Sequence, residues 1–220
     1  MILAARDGTG GDQSSNAKSA HKPASYAKTE TARIAPIFHH GEGRGAFGCI
    51  SVIAPVFLTE DEARQVITEE ASAAGVHFKD AGKAIAAVER PLTYNSELVF
   101  DARTREPKAR RSRLTLDGTD PQRNVSFEFI SSQDMKEWEI EEYYGVSSSV
   151  YEYGGRDAAE FLQKGLAKIH TDGAIAVFYD PVSTYGMENQ SEAEARERAV
   201  EELRRQVRDF LSWLKTQGII

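Results

Sequence analysis

Thiol chemistry is almost absent from this chain: Cys49 is its one cysteine, which excludes an intrachain disulfide. It lies in the apolar run Phe47-Gly48-Cys49-Ile50-Ser51-Val52-Ile53 and reads as a small core residue. A reactive thiolate needs a cationic, partly exposed setting, and the neighbouring residues supply none. No apolar stretch approaches the roughly 20 residues needed to span a bilayer. The start, Met1-Ile2-Leu3-Ala4-Ala5-Arg6-Asp7, lacks a basic leader and the apolar run of about 7–15 residues that marks a secretory signal. A lone cysteine suits a reducing compartment, so the expectation is cytoplasmic. The alternative is export, if the native start lies upstream and this one follows a cleaved leader or lipid anchor.

Complete catalytic motifs are also missing. There is no Gly-x-Ser-x-Gly elbow, His-Glu-x-x-His helix, EF-hand loop or Cys-x-x-Cys pair. The expectation is therefore a soluble, non-catalytic binding or interaction domain with no cofactor. Net charge is −7, which argues against general polyanion binding by the whole surface.

Residues 1–35 are rich in Gly, Ser, Ala, Lys and Thr, with Tyr26 as the one aromatic. Such a segment buries too little apolar surface to offset ordering entropy, which predicts a disordered arm. Residues 36–220 then form a single α/β or α+β domain. The expected architecture is a mixed central sheet with an antiparallel meander, flanked by helices.

Apolar runs at 46–54 and Ala174–Tyr179 predict buried, central strands. Val76–Phe78, Ala84–Val88, Glu97–Arg103, Arg113–Asp117 and Asn124–Ile130 read as further strands, the last three forming the meander. Gly118-Thr119-Asp120-Pro121 reads as a turn. Thr59 with Glu62, and Ser191 with Glu194, have capping-box spacing. They predict helices over 59–75 and 191–217, the second ended by Gly218. Ser131–Asp134 opens a short helix, and Asp157 caps another over 157–170.

Asp117 ends one strand and Glu128 lies within the next. If the hairpin turns both carboxylates to one side, they suit an oxygen-loving cation such as Mg²⁺ or Mn²⁺. The plainer reading makes Asp117 a turn residue and Glu128 a solvated one. Asp117-Gly118 followed by Phe127-Glu128-Phe129, together with the element order, resembles the αβββαβ core of PD-(D/E)xK nuclease-like proteins. That resemblance implies a metal-dependent nuclease-like enzyme or its inactive descendant, with nucleic acid as partner. It implies Asp117 and Glu128 as metal ligands, joined by Glu69 or Glu70 from the first helix. The family's lysine position is Ile130 here, with Lys136 and Lys168 as possible donors from elsewhere, and Leu116 stands where the family has proline.

Arg105, Arg110, Arg111 and Arg113, with Arg103 and Lys108, form a basic stretch that fits either a phosphate-contacting loop or a solvated loop paired with Glu137, Glu139, Glu141 and Glu142. His39–Gly48 reads as a glycine-rich linker entering the domain. The tyrosines of Tyr143–Tyr153 serve either a core edge or, if exposed, a protein-binding face.

Overall fold

In a computed structural model, the described residues are 33–48, 54–80, 82–141, 150–169, 172–185 and 191–220. Along the chain they form β1 (Arg33–Ile34), β2 (Gly45–Gly48), β3 (Ala54–Val56), α1 (Glu60–Ala73), β4 (Ala84–Pro91), β5 (Thr93–Tyr94), β6 (Glu97–Leu98) and β7 (Ala109–Thr115). There follow β8 (Gly118–Asp120), β9 (Val125–Ile130), α2 (Ser132–Glu137), β10 (Val150–Tyr153), α3 (Gly155–Ala167), β11 (Ala174–Tyr179), β12 (Ser183–Tyr185) and α4 (Glu192–Thr216).

A strand buried on both faces must be apolar throughout, and β11 (AIAVFY) is. It is central in a four-stranded mixed sheet of order β1-β11-β9-β8, parallel to β1 and β9, with β8 antiparallel to β9. The period of two sends Phe127, Phe129, Ala176 and Phe178 to one face, under α1 and α4. Ile130, Ile175, Val177 and Tyr179 go to the other, under α3. Phe78, Phe127, Phe178, Phe210 and Trp213 run through the first core with successive ring centroids 4.7–6.0 Å apart. The result is the α/β domain with a mixed sheet flanked by helices that the pattern implies.

The helix boundaries follow their caps. Thr59, Ser131 and Ser191 each make a reciprocal capping box with the acid three residues on. Gly218 (φ +68°) ends α4, with Ile219 N–H donating to the Leu214 carbonyl. Gly154, not Asp157, is the N-cap of α3; Asp157 sits in its first turn and pairs with Arg44.

Several strands differ from expectation. The 46–54 run is not central: β2 pairs with β10 and β3 with β12 in separate two-stranded ladders, and residues 49–53, Cys49 included, lie outside the described residues. Val76–Phe78 is not a strand; the nearest pairing is a bridge between Lys79 and Thr119. Of Glu97–Arg103 only Glu97–Leu98 is a strand. The partner of β7 is instead β4, where Ala87 (φ +58°) forms a bulge between Ile85 and Val88. Gly118–Asp120 is a strand, and the turn comes after it. Asp120 makes that turn, its Oδ1 accepting from Gln122 and Arg123 N–H while Oδ2 takes His77 N–H.

The predicted arm overreaches by a few residues. Arg33–Ile34 pairs with β11, and Ala35 is fully buried. Nor is 39–48 a free linker. Gly43 N–H donates to the Pro181 carbonyl, and at φ +59° a side chain there would run into the Tyr179 ring and Arg156. His40 Nε2 stands 2.7 Å from Asp209 Oδ2.

Candidate functional site

Asp117 sits where β7 bends into β8. Its N–H donates to the Phe127 carbonyl, and its Oδ2 accepts Phe129 N–H at 2.7 Å. The carboxylate thus continues the β8–β9 ladder where the backbone has turned away. Its Oδ1 is 4.0 Å from Arg64 of α1. Glu128, on the same face as Ile130, is 3% exposed, and its Oε2 has no hydrogen-bond partner. It is a buried carboxylate, not a solvated one.

Two helix starts complete the cluster. Glu60, first residue of α1, accepts from Ser131 Oγ at 2.9 Å. Asp134, the third residue of α2, accepts Ser131 N–H at 2.9 Å and lies 2.7 Å from the same hydroxyl. One hydroxyl proton serves only one of these acids at a time. Burial, then repulsion from Asp117, Asp134 and Glu60, pushes the Glu128 carboxyl well up, with Arg90 pulling the other way. Burial raises Asp117 against the Phe129 hydrogen bond and Arg64. Asp134 is pushed up to about 6 by burial, with Asp117 and Glu60 adding to it. Asp117, Glu128 and Asp134 thus all favour the protonated form more than free carboxyls do, and a cation or a shared proton would ease their repulsion.

The sequence-expected third ligand is elsewhere. Glu70 faces α4, its Oε1 2.7 Å from Arg208 Nε, and Glu69 takes the Gln65 amide. The acid that α1 brings is Glu60, its first residue, through Ser131. Ile130 is fully buried in the α3-side core. Lys136 is exposed on α2, and Lys168 pairs with Glu89 at 3.1 Å. The cations acting on the cluster are Arg64 and Arg90, the latter 5.7 Å from the Trp138 ring centroid. Among the described residues no group of three His, Cys, Asp or Glu side chains is placed to hold a metal ion.

No protein-family model matches the chain, and no curated protein or solved structure is significantly similar to it.

The basic stretch is spread along β7 and the segment before it. Arg105, Arg110, Arg111 and Arg113 are all exposed. Arg110 faces Arg90 across the ladder and Arg111 faces Glu89, 3.3 Å away in an ion pair. The acid that balances Arg111 is therefore a cross-strand neighbour and not the 137–142 cluster, whose Glu139 accepts Asn95 N–H. In the tyrosine region, residues 142–149 lie outside the described residues. Tyr153 is 1% exposed, its ring 4.9 Å from that of Phe57, so it belongs to the core.

A second surface, unanticipated from the sequence, lies between α3 and the segment from β6 to Pro107. A hollow of about 620 Å³ is floored by Leu98, Phe100, Pro107 and Phe161. It adjoins another of about 210 Å³ through Leu98, Phe100 and Asp157. Phe100 is 50% exposed and is the exposed large hydrophobic side chain among the described residues. Two short contacts hold it out there: Val99 N–H donates to the Leu92 carbonyl and Asp101 N–H to the Glu106 carbonyl. Among the described residues no helix is long and apolar enough to cross a membrane.

Proposed function

We propose that the chain is a non-catalytic interaction domain that docks a peptide segment in the groove of Leu98, Phe100 and Phe161. The observation that carries this is Phe100, a half-exposed aromatic at the junction of two hollows and the one exposed large apolar side chain among the described residues. Aromatic anchors in partly formed pockets supply most of the affinity in docking surfaces. The acid cluster supports the same reading, because Asp117, Glu60 and Asp134 each already accept structural hydrogen bonds. A peptide array probed with wild type and with Phe100→Glu tests it. Binding that the substitution removes supports the reading; binding indifferent to it overturns the reading.

One observation favours a second reading, the metal-dependent nuclease-like enzyme or its inactive descendant. Glu128 is buried with its Oε2 lacking a partner, and repulsion from the half-buried Asp117 adds to the burial that pushes its carboxyl up. In chain order α1, β7–β9, α3 and β11 follow the αβββαβ sequence, with β4–β6, α2 and β10 between them. Strand β11 is parallel to β9, whereas β7 pairs with β4 outside that sheet. The donor set does not fit a metal as it lies, and the lysine position is apolar, so the inactive descendant is the form this reading takes. Thermal unfolding with Mn²⁺ and Mg²⁺, on wild type and Glu128→Gln, separates the two. A ligand bound only by the folded state raises its stability. A rise in wild type that the variant loses would reinstate a metal site.

A further inference from the structure

Resting on the docking reading, we propose that the groove's occupant is a segment of the same chain, residues 18–28, with Tyr26 laid against Phe100.

The groove has a charge preference. Five carboxylates line its two hollows (Glu89, Glu97, Glu106, Asp157 and Glu160) against three cations. Two of those cations are already engaged: Lys168 holds Glu89 and Arg44 holds Asp157. Glu106 and Glu160 make no ion pair among the described residues, and Lys164 is the remaining cation beside them. An apolar floor under an acidic rim selects a basic segment carrying an aromatic or aliphatic anchor.

Residues 18–28 read Lys-Ser-Ala-His-Lys-Pro-Ala-Ser-Tyr-Ala-Lys: three lysines, one histidine, one tyrosine and no acid. Outside residues 1–35 the chain carries −9, since those residues hold five basic and three acidic side chains of a −7 total. A second folded copy would therefore bring net negative charge to an acidic rim, whereas this segment brings the opposite sign.

Position agrees with charge. The segment joins the fold at Arg33, and two residues later the Ala35 carbonyl accepts from the Gln163 side chain of α3. Gln163 itself lines the larger hollow. The entry point is thus next to the groove. From Arg33 back to Tyr26 is seven residues, an extended reach of about 24 Å. The α3 span from Gln163 to Asp157 measures only about 9 Å. Being tethered, the segment binds at high effective concentration, so a modest contact fills the groove until an external peptide displaces it.

The test uses the full chain with benzoylphenylalanine in place of Phe100. On irradiation the expected product is an intramolecular cross-link to residues 18–28, with a yield independent of protein concentration. Lys22→Glu with Lys28→Glu should lower that yield about five-fold, the loss of two exposed ion pairs, and raised salt should lower it too. The same double variant, by emptying the groove, should strengthen Phe100-dependent binding to the peptide array. Cross-links only within the folded residues, or only between two chains, overturn the proposal. If array binding still depends on Phe100 in that case, the docking reading survives alone; if it does not, both fall.

Discussion

Glu128 shows how a single residue can carry a conflict that its neighbours contain. Its carboxyl is buried, lacks a partner at Oε2 and faces three other acids, so ionising it destabilises the fold. Glu128→Gln keeps the shape and removes the charge. The expected outcome is a gain of about 1–3 kcal/mol at pH 8, shrinking towards zero near pH 5, where wild type holds its proton; urea unfolding at both pH values measures it. Asp117 behaves oppositely. Asp117→Ala strands the Phe129 N–H and should cost about 1–3 kcal/mol, while Asp117→Asn, which still offers an oxygen, should recover most of that loss. Equal costs for Asn and Ala would mean that the ladder bond matters less than the charge, which both remove. That Asp117 and Glu128 lie on one hairpin, eleven residues apart, is legible in the sequence. The sequence leaves open whether their carboxylates converge, and favours the plainer reading of a turn residue and a solvated one. Glu60 and Asp134 were not legible, since only the tertiary meeting of two helix starts on Ser131 brings them in.

Helix ends were the most legible elements, and their reason is local. Each capping box satisfies N–H groups within four residues, so Thr59–Glu62, Ser131–Asp134 and Ser191–Glu194 can be read without knowing what packs against them. Ladders depend on partners far away in sequence. The apolar run at 46–54 has a central strand's composition, yet pairs at both ends with β10 and β12 outside the main sheet. Likewise β4, whose alanines leave its type open, became the partner of β7 in place of 97–103 because its bulge sets Val88 and Ile85 facing the α3-side core. The caps yield a graded prediction. Ser131 is 1% exposed and its Oγ accepts from Gln133 and Asp134 N–H while donating to the acid cluster. Thr59 and Ser191 are exposed. Thr59→Ala and Ser191→Ala should each cost about 1 kcal/mol, and Ser131→Ala about 2 kcal/mol or more, since it also removes the hydroxyl that serves Glu60 and Asp134. Equal costs in chemical denaturation would show that the cluster adds nothing to the cap.

At the scale of the whole molecule, the buried acids make stability a function of pH with an unusual sign. Asp180, fully buried, accepts Leu58 and Val182 N–H, and burial against those bonds pushes it up to about 7. Asp134 rises to about 6 for the same first cause, and Asp117 and Glu128 move the same way. In the unfolded chain aspartates ionise near pH 4. Between there and pH 7 the folded state holds more protons than the unfolded one, so stability falls as pH rises. Below pH 4 both states are protonated and the contribution is present in full. Glu62 and Glu194 shift downward through their capping bonds and oppose the trend, but these caps lie at the surface, where solvent screens them. Exposed pairs such as Arg196–Glu62 and Arg208–Glu70 add little for the same reason. The expected profile is a Tm highest near pH 5 and declining to pH 7.5, with a stability difference of about 2–4 kcal/mol, less than the single shifts would sum to because the acids are coupled. Glu128→Gln should flatten it, since Glu128 is itself one of the acids whose carboxyl burial pushes up. A wild-type Tm that climbs from pH 5 to 7.5 would place a bound cation, not a proton, among the four carboxyls, because a cation favours the ionised acids and reverses the sign of the dependence.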